Sequence, residues 1–451
     1  MVNFVTQLSK YLVLFSILIY TYLGFVYFRY RTPRKQSQTL NIMFGLMVFM
    51  HLINYLVIYV NTENLNIFIL YGVELGLIIF LSIVYHWIYP EINELVFQHM
   101  MMLLTIGMTF LARISYKITV RHVAFIWAGV LLCLLVPIII EKFTKLIHIS
   151  YFLAAVGILL LAFVLVFGKT KNGAKNWIMI GSFGLQPSEF VKLLFVFAMA
   201  GLLSRSEKFK EIVIISFIAA AHVLLLVLEK DLGGALIFFL TYVFMLTVAT
   251  GKFAYMFAGF GAGSIAAVIA YKLFSHVRVR VLAWSDPWSD IANRGYQISQ
   301  SLFAIGTGGW LGMGLTKGLP NVIPVVSTDF IFSGIAEEMG GIYAICLILI
   351  CMSCFIMFIN IAMRLQDLYY KLIALGFGVM YGIQVFLNIG GVIKMIPSTG
   401  VTLPLVSTGG TSMLVTLIMF NIVQGLYLLN EKQRKANTMN AYESRVKNAK
   451  R

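Results

Sequence analysis

Apolar residues fall in thirteen continuous runs, near 11–28, 41–60, 67–88, 97–115, 123–140, 149–168, 189–204, 211–228, 232–250, 253–272, 328–358, 370–388 and 409–430. About 20 residues of apolar helix cross a bilayer. Away from water, only helices and closed barrels satisfy every backbone N–H and C=O. The runs lack the ten-residue alternation of a barrel strand. They predict an all-α integral membrane protein, a polytopic helical bundle. The 328–358 run is long for one crossing, so a tilted or projecting helix is expected there. The first run, Leu12 to Tyr27, has only Lys10 before it, lacks a small-residue cleavage site, and is followed by Arg29, Arg31, Arg34 and Lys35. That reads as a retained helix, not a cleaved signal.

The polar links orient the runs, because cytoplasmic links collect Lys and Arg. The link after the first run, 142–148, 204–211, Lys252, 364–371 and the tail after Asn430 carry more than half of the 34 Lys and Arg. They are expected inside, with the N-terminus outside and the C-terminus cytoplasmic. The inside link 89–96 fits least well, with two Glu and no basic residue. Outside fall 169–188, 229–231, 389–408 and the largest loop, 273–327, rich in Gly, Trp, Arg and Asp. A loop of that length is functional or partly folded. The basic residues on this outer face are more than topology requires, and an anionic ligand bound there would account for them.

Composition agrees. Sixty per cent of the residues are hydrophobic and 12% charged, too apolar for a soluble globule. The net charge of +16 is assigned to topology; no motif for nucleic acid accompanies it. Cys133, Cys346, Cys351 and Cys354 all lie in apolar runs. The CxxC spacing of the last pair is read as packing, and no disulfide framework is expected.

Ionisable groups at membrane depth are functional candidates by default. Glu189, Asp231 and Asp329 each open a run on the outer face. The plain alternative is helix capping by Ser188, Asp231 and Asp329, with acids favoured in a first turn. Lys192 stands three residues after Glu189 and can pair with it. Glu337 and Glu338, two to three turns into a helix starting near Thr328, would need partners if buried. The glycine-rich run 306–314 has GxGxxG-like spacing but no preceding strand, so it reads as a tight loop and not a dinucleotide site. Arg278, Arg280, Asp286 and Pro287 share that outer region. His222 and His276 have no ligand spacing, so no metal is assigned. The pattern leaves two classes open: a transporter with a midplane site and an enzyme at the outer leaflet. The outer acids and large loop favour the enzyme.

Several segments together resemble the SEDS family (RodA, FtsW and SpoVE). They are Asn172-Gly-Ala-Lys-Asn-Trp177, Gln186-Pro-Ser-Glu-Phe-Val-Lys192 and Asp231-Leu-Gly-Gly234, then Arg280-Val-Leu-Ala-Trp-Ser-Asp-Pro287 and Gly295-Tyr-Gln-Ile-Ser-Gln-Ser301. The glycine-rich run, Ser327-Thr-Asp-Phe-Ile-Phe332, Glu337-Glu-Met-Gly340, Asn388-Ile-Gly390 and Leu403-Pro-Leu-Val-Ser-Thr-Gly-Gly410 complete the set. The resemblance covers roughly 93–432. It implies a ten-helix core there, a three-helix extension over 1–92, and a basic cytoplasmic tail over 433–451. Departures from the family pattern are Ser327, Val325, Lys230, Glu229 and Thr408, where His, Glu, Pro, Gln and Tyr are usual.

The resemblance further implies a multi-pass protein of the bacterial plasma membrane. Such a protein is a peptidoglycan glycosyltransferase, polymerising lipid II with release of undecaprenyl pyrophosphate. A class B penicillin-binding protein, the transpeptidase, is the implied partner. Asp329 would be the catalytic base; Glu189, Lys192 and Asp231 carry over as functional. Lys192, Arg278, Arg280 and Lys394 are candidate cations for the leaving group. A divalent cation such as Mg, held by Asp231 or Glu189, could share that work, although the sequence shows none. A lipid II flippase, or a non-catalytic scaffold of the cell-wall synthesis complex, is the alternative. Whether the chain serves division, elongation or sporulation stays open.

Overall fold

Among the described residues, thirteen crossings alternate between two ends of a helical bundle, and every predicted apolar run except 328–358 falls mainly on one of them. The computed structural model describes residues 2–449 except 31, 172, 182 and 207, and the side chains of 141, 143, 144, 171, 180, 183 and 441–449 lie outside the description. Asn172 and the basic tail residues Lys450 and Arg451 therefore fall outside the described residues, as does Arg31. Three helices come first: α1 (Val2–Val26), α2 (Pro33–Thr62) and α3 (Asn66–Ile88). Then follow α4 (Glu94–Ile114), α5 (Tyr116–Cys133), the short α6 (Val136–Ile139) and α7 (Ser150–Phe167). After a small sheet come α8 (Pro187–Leu203), α9 (Phe209–Leu228), α10 (Leu232–Thr250) and α11 (Phe253–Leu273). The large loop holds α12 (Ser275–Ser285) and α13 (Tyr296–Gly308). The chain closes with α14 (Ile331–Met339), α15 (Gly341–Arg364), α16 (Leu368–Val392) and α17 (Gly410–Ala449).

Among the described residues, 12 helices are long and apolar enough to cross a membrane. Helix α8, with 17 residues, supplies the remaining crossing, at the short end of the spanning range. The 328–358 run does not tilt or project as one helix. It breaks at Gly340, whose φ of 89° takes the chain out of helix between α14 and α15. A Cβ there would lie 2.3 Å from the Gly312 nitrogen, so only glycine permits this approach. Apolar residues flank the break on both sides, which is why the run looks continuous in sequence.

The described residues of 169–186 are not helical. It folds into an antiparallel sheet in the order β1 (Lys169–Lys171), β2 (Ala174–Ile180), β3 (Phe183–Leu185). Gly173 and Gly181, with φ of 85° and 61°, allow the two tight turns. The sheet, the 229–231 link, the 274–330 loop and the 393–409 segment share one end of the bundle, here the loop face.

Inside the bundle, α4 is buried from Leu95 to Ala112. The first three helices dock on this core through hydrogen bonds as well as apolar packing. Tyr20 donates to the Gln98 carbonyl at 3.1 Å, His99 bonds Tyr20 and Ser353 at 3.2 and 3.0 Å, and Tyr85 donates to Asn421 at 2.7 Å. Away from water such bonds have few competitors, so they fix the register of helix against helix.

Candidate active site

Asp329 stands two residues before α14, in a segment held by backbone bonds from three directions. Ser407 Oγ donates to the Thr328 carbonyl at 2.6 Å. Thr408 donates to the Ser327 carbonyl at 2.8 Å from both its nitrogen and its hydroxyl. Asn388 Nδ2 bridges the Asp329 and Val401 carbonyls at 2.8 and 2.7 Å. The 388–390 and 403–410 motifs thus act on the main chain of 327–329. Val325, with φ of 51°, takes a left-handed turn that a β-branched residue adopts only under constraint. Neither Ser188 nor Asp329 is a helix cap; Gln186 and Phe330 occupy those positions.

Asp231 does cap its helix. Its Oδ1 accepts from the Gly234 nitrogen at 2.8 Å, while Asn176 and Gln186 donate to Oδ2 at 3.0 and 3.4 Å. These bonds tie α10 to the sheet, and the Lys175 nitrogen donates to the Glu229 carbonyl at 2.8 Å beside them. Trp177 packs across β3, where a Cβ on Gly184 would meet its ring at 2.9 Å. Glu229 itself is fully buried, and among the described residues neither of its carboxyl oxygens has a partner. Burial, then the Asp231 charge, pushes it up to about 8, so it is neutral at pH 7.

Asp329 and Asp231 open on one cavity of about 960 Å³ at the loop face. Five cations line it: Lys117 and Arg121 on α5, Lys230, Arg280 on α12, and Arg294. Arg280 is half-buried and held by the Ser398 and Thr399 carbonyls at 3.4 and 2.9 Å. Asp329 is half-buried and, among the described residues, makes no ion pair. Burial is the main reason its pKa rises to about 6; Asp231 adds to the rise, while Thr328 and Arg280 oppose it. An unpaired carboxylate with that pKa can accept a proton near neutral pH. Cations around a cavity can hold a diphosphate.

The other predicted residues lie off the cavity wall. Glu189 and Lys192 pair at 2.9 Å within α8, buried, and Lys192 also donates to Gln384 at 3.2 Å. Gln384 in turn donates to the Thr402 carbonyl at 3.2 Å, so this pair backs the segment that Asn388 holds. Arg278 is exposed and donates to the Lys272 carbonyl at 3.0 Å. The Lys394 carbonyl accepts from Trp284 at 3.1 Å. Glu338 meets Arg113 at 2.9 Å, and Glu337 accepts from the Leu319 nitrogen at 3.0 Å. One carboxyl oxygen of each glutamate is partnered and, among the described residues, the other is not; both stand at the end of the nine-residue α14, not deep in a long helix. Asp231 accepts from N–H donors at both oxygens, and both oxygens of Glu189 accept from Lys192. Lys117, Arg121 and Arg294 were not singled out in the sequence; the i,i+4 spacing of the first pair at a helix start was the available signal.

Bundle and cavity together define a polytopic membrane protein with an acid-and-cation site at the loop face. Comparison with known proteins says which kind. The FtsW/RodA/SpoVE family model, described as cell cycle protein, matches residues 93–432, and the chain belongs to that family. It is 36% identical over 269 residues to peptidoglycan glycosyltransferase RodA of Mycobacterium tuberculosis, a match covering 56% of this chain and 57% of that one. The chain thus spans little more than half the length of that relative. It is 31% identical to the probable peptidoglycan glycosyltransferase FtsW of Aliivibrio salmonicida, over 78% of this chain and 95% of the other. Among solved structures, a chain from a peptidoglycan synthase complex that coordinates polymerization and crosslinking superposes with a TM-score of 0.66. That match has 26% identity over 76% of this chain and 99% of the other.

Proposed function

We propose that this chain is a peptidoglycan glycosyltransferase that polymerises lipid II at the outer face of the bacterial cytoplasmic membrane. The observation that carries the reading is Asp329, an unpaired carboxylate opening on a cavity walled by five cations. The activity in the names of RodA and FtsW relatives supports it. The basic links at the opposite end of the bundle support an outward loop face, with α17 ending in the cytoplasm.

The acceptor is a sugar hydroxyl, a weak nucleophile at neutral pH. Asp329 takes its proton as the oxygen bonds the donor's anomeric carbon from the side opposite the leaving group, which inverts that carbon. The bond to undecaprenyl pyrophosphate breaks, and the leaving group keeps the electron pair. Arg280, which interacts electrostatically with both Asp231 and Asp329, and Lys230, next to Asp231 in sequence, offset the growing negative charge. Lys117, Arg121 and Arg294 extend the cation wall around the cavity. A class B penicillin-binding protein is the partner of this reading, supported by likeness to a chain of a synthase complex that couples polymerization to crosslinking.

The test is to incubate purified protein and its cognate transpeptidase with lipid II. Glycan polymer is the expected product. Its absence, with both proteins folded and assembled, would contradict the assignment.

A further inference from the structure

Residues before 93 lie outside the family match, yet they touch the loop that backs the site. Lys10 Nζ in α1 donates to the Gly312 carbonyl at 3.2 Å. Lys317 Nζ returns a bond to Asn3 Oδ1 at 3.0 Å. Between these bonds the fully buried Thr6 lies under Gly314, 3.3 Å from where a Cβ would stand. Asn61 of α2 holds Thr6 in turn, donating to its hydroxyl at 3.2 Å.

The same loop is bonded on its other side to α14. The Met313 and Gly314 nitrogens donate to the Glu337 and Glu338 carbonyls at 3.1 and 2.8 Å. The Gly318 and Leu319 nitrogens donate to the carboxylates of Glu338 and Glu337 at 3.1 and 3.0 Å. Four residues of this short loop have positive φ: Gly309, Gly312, Gly314 and Thr316, at 54°, 79°, 102° and 74°. A chain so bent keeps one shape only when its neighbours over-determine it. Helix α14 has nine residues, too few to hold itself in place, and Asp329 precedes it by two.

We propose that Lys10 is a positioning residue for the transfer reaction. The N-terminal helices clamp the 309–319 loop against α14, and α14 carries Asp329 into the cavity. The proposal rests on Asp329 being the base. Lys10 touches no cavity-lining group; it acts through Gly312 and the loop.

The experiment uses the full chain with its transpeptidase, comparing wild type, Lys10→Met and Lys10→Arg. Hydrogen exchange is read at the amides of Met313, Gly314, Gly318 and Leu319. Lys10→Met is expected to speed their exchange roughly tenfold, and Lys10→Arg to leave it as in wild type. Lipid II polymerisation by Lys10→Met is expected to lose roughly threefold to tenfold in kcat with KM unchanged, and Lys10→Arg to restore it. Lys317→Met, which cuts the bond to Asn3 from the loop side, should repeat the pattern if Lys10→Met folds poorly. Unchanged exchange in these Met variants, or faster exchange with wild-type kcat, would overturn the proposal. A wild-type chain that makes no polymer would instead overturn the transfer reading, and the exchange rates tell the two failures apart.

Discussion

Asp329 and Arg280 face one another across Gly400. A Cβ on that glycine would lie 3.6 Å from Asp329 Oδ2 and 4.0 Å from Arg280 Nη2. A carboxylate and a guanidinium are thus held beside one bare stretch of backbone, near enough to feel each other's charge and not ion-paired. The gap leaves the carboxylate free to accept a proton.

Gly400→Ala should therefore cost activity twice over. Its φ of 76° strains any residue with a Cβ by about 1 kcal/mol, and the methyl fills space between acid and cation. The expected result is a polymerisation rate reduced at least roughly tenfold, from lost near-attack geometry, with a small fall in Tm. Rate and melting measured on the same preparation check it.

The pH profile should carry the signature of Asp329. As the proposed base, Asp329 works when deprotonated, and burial has pushed its pKa up to about 6. Turnover should thus fall as pH drops through about 6, above the ordinary carboxylate range. Asp231 raises that pKa and Arg280 lowers it. Asp231→Asn should move the acid limb of kcat/KM to lower pH, and Arg280→Gln should move it to higher pH. Opposite displacement of the two limbs is the measurement.

Asn388→Leu should strip two buried carbonyls, those of Asp329 and Val401, of a shared donor. Each unsatisfied group costs about 1–3 kcal/mol. A lower Tm together with a lower kcat is expected, because the lost bonds hold the main chain of the proposed base itself. Loss of Tm alone would make Asn388 structural only.

Lys192→Met should act through folding. It leaves the Glu189 carboxylate buried without its cation, and breaking a buried pair costs roughly 3–5 kcal/mol. Adding Glu189→Gln should recover most of the melting temperature, since the uncompensated charge is gone. Thermal melting of the single and double variants decides.

The sequence made the crossings legible because each is a continuous apolar run. It hid the break at Gly340, where Ile331–Met339 and Gly341–Arg364 are apolar on both sides and the two glycines at the junction are a weak signal. The sheet over 169–185 was hidden too, since strands of three and seven residues carry little periodicity. The Asp231 cap and the Glu189–Lys192 pair followed from position and spacing. Which acid faces the cavity did not, because depth along a helix fixes height and not azimuth. Hence Glu189 and Lys192 turn into the bundle, behind the wall that Asp329 and Asp231 form. The i,i+4 spacing of Lys117 and Arg121 puts them on one face of α5, but that this face reaches the wall depends on α5 packing beside α17, a tertiary fact.

The most direct measurement is lipid II polymerisation by Asp329→Asn, purified with its transpeptidase. Asparagine keeps the shape and, in a buried position, relieves the cost of the charge, so the variant should melt no lower than wild type above pH 6. Turnover should fall by roughly 10²–10⁴, the worth of a general base. Polymerisation at the wild-type rate by the folded variant would contradict the account.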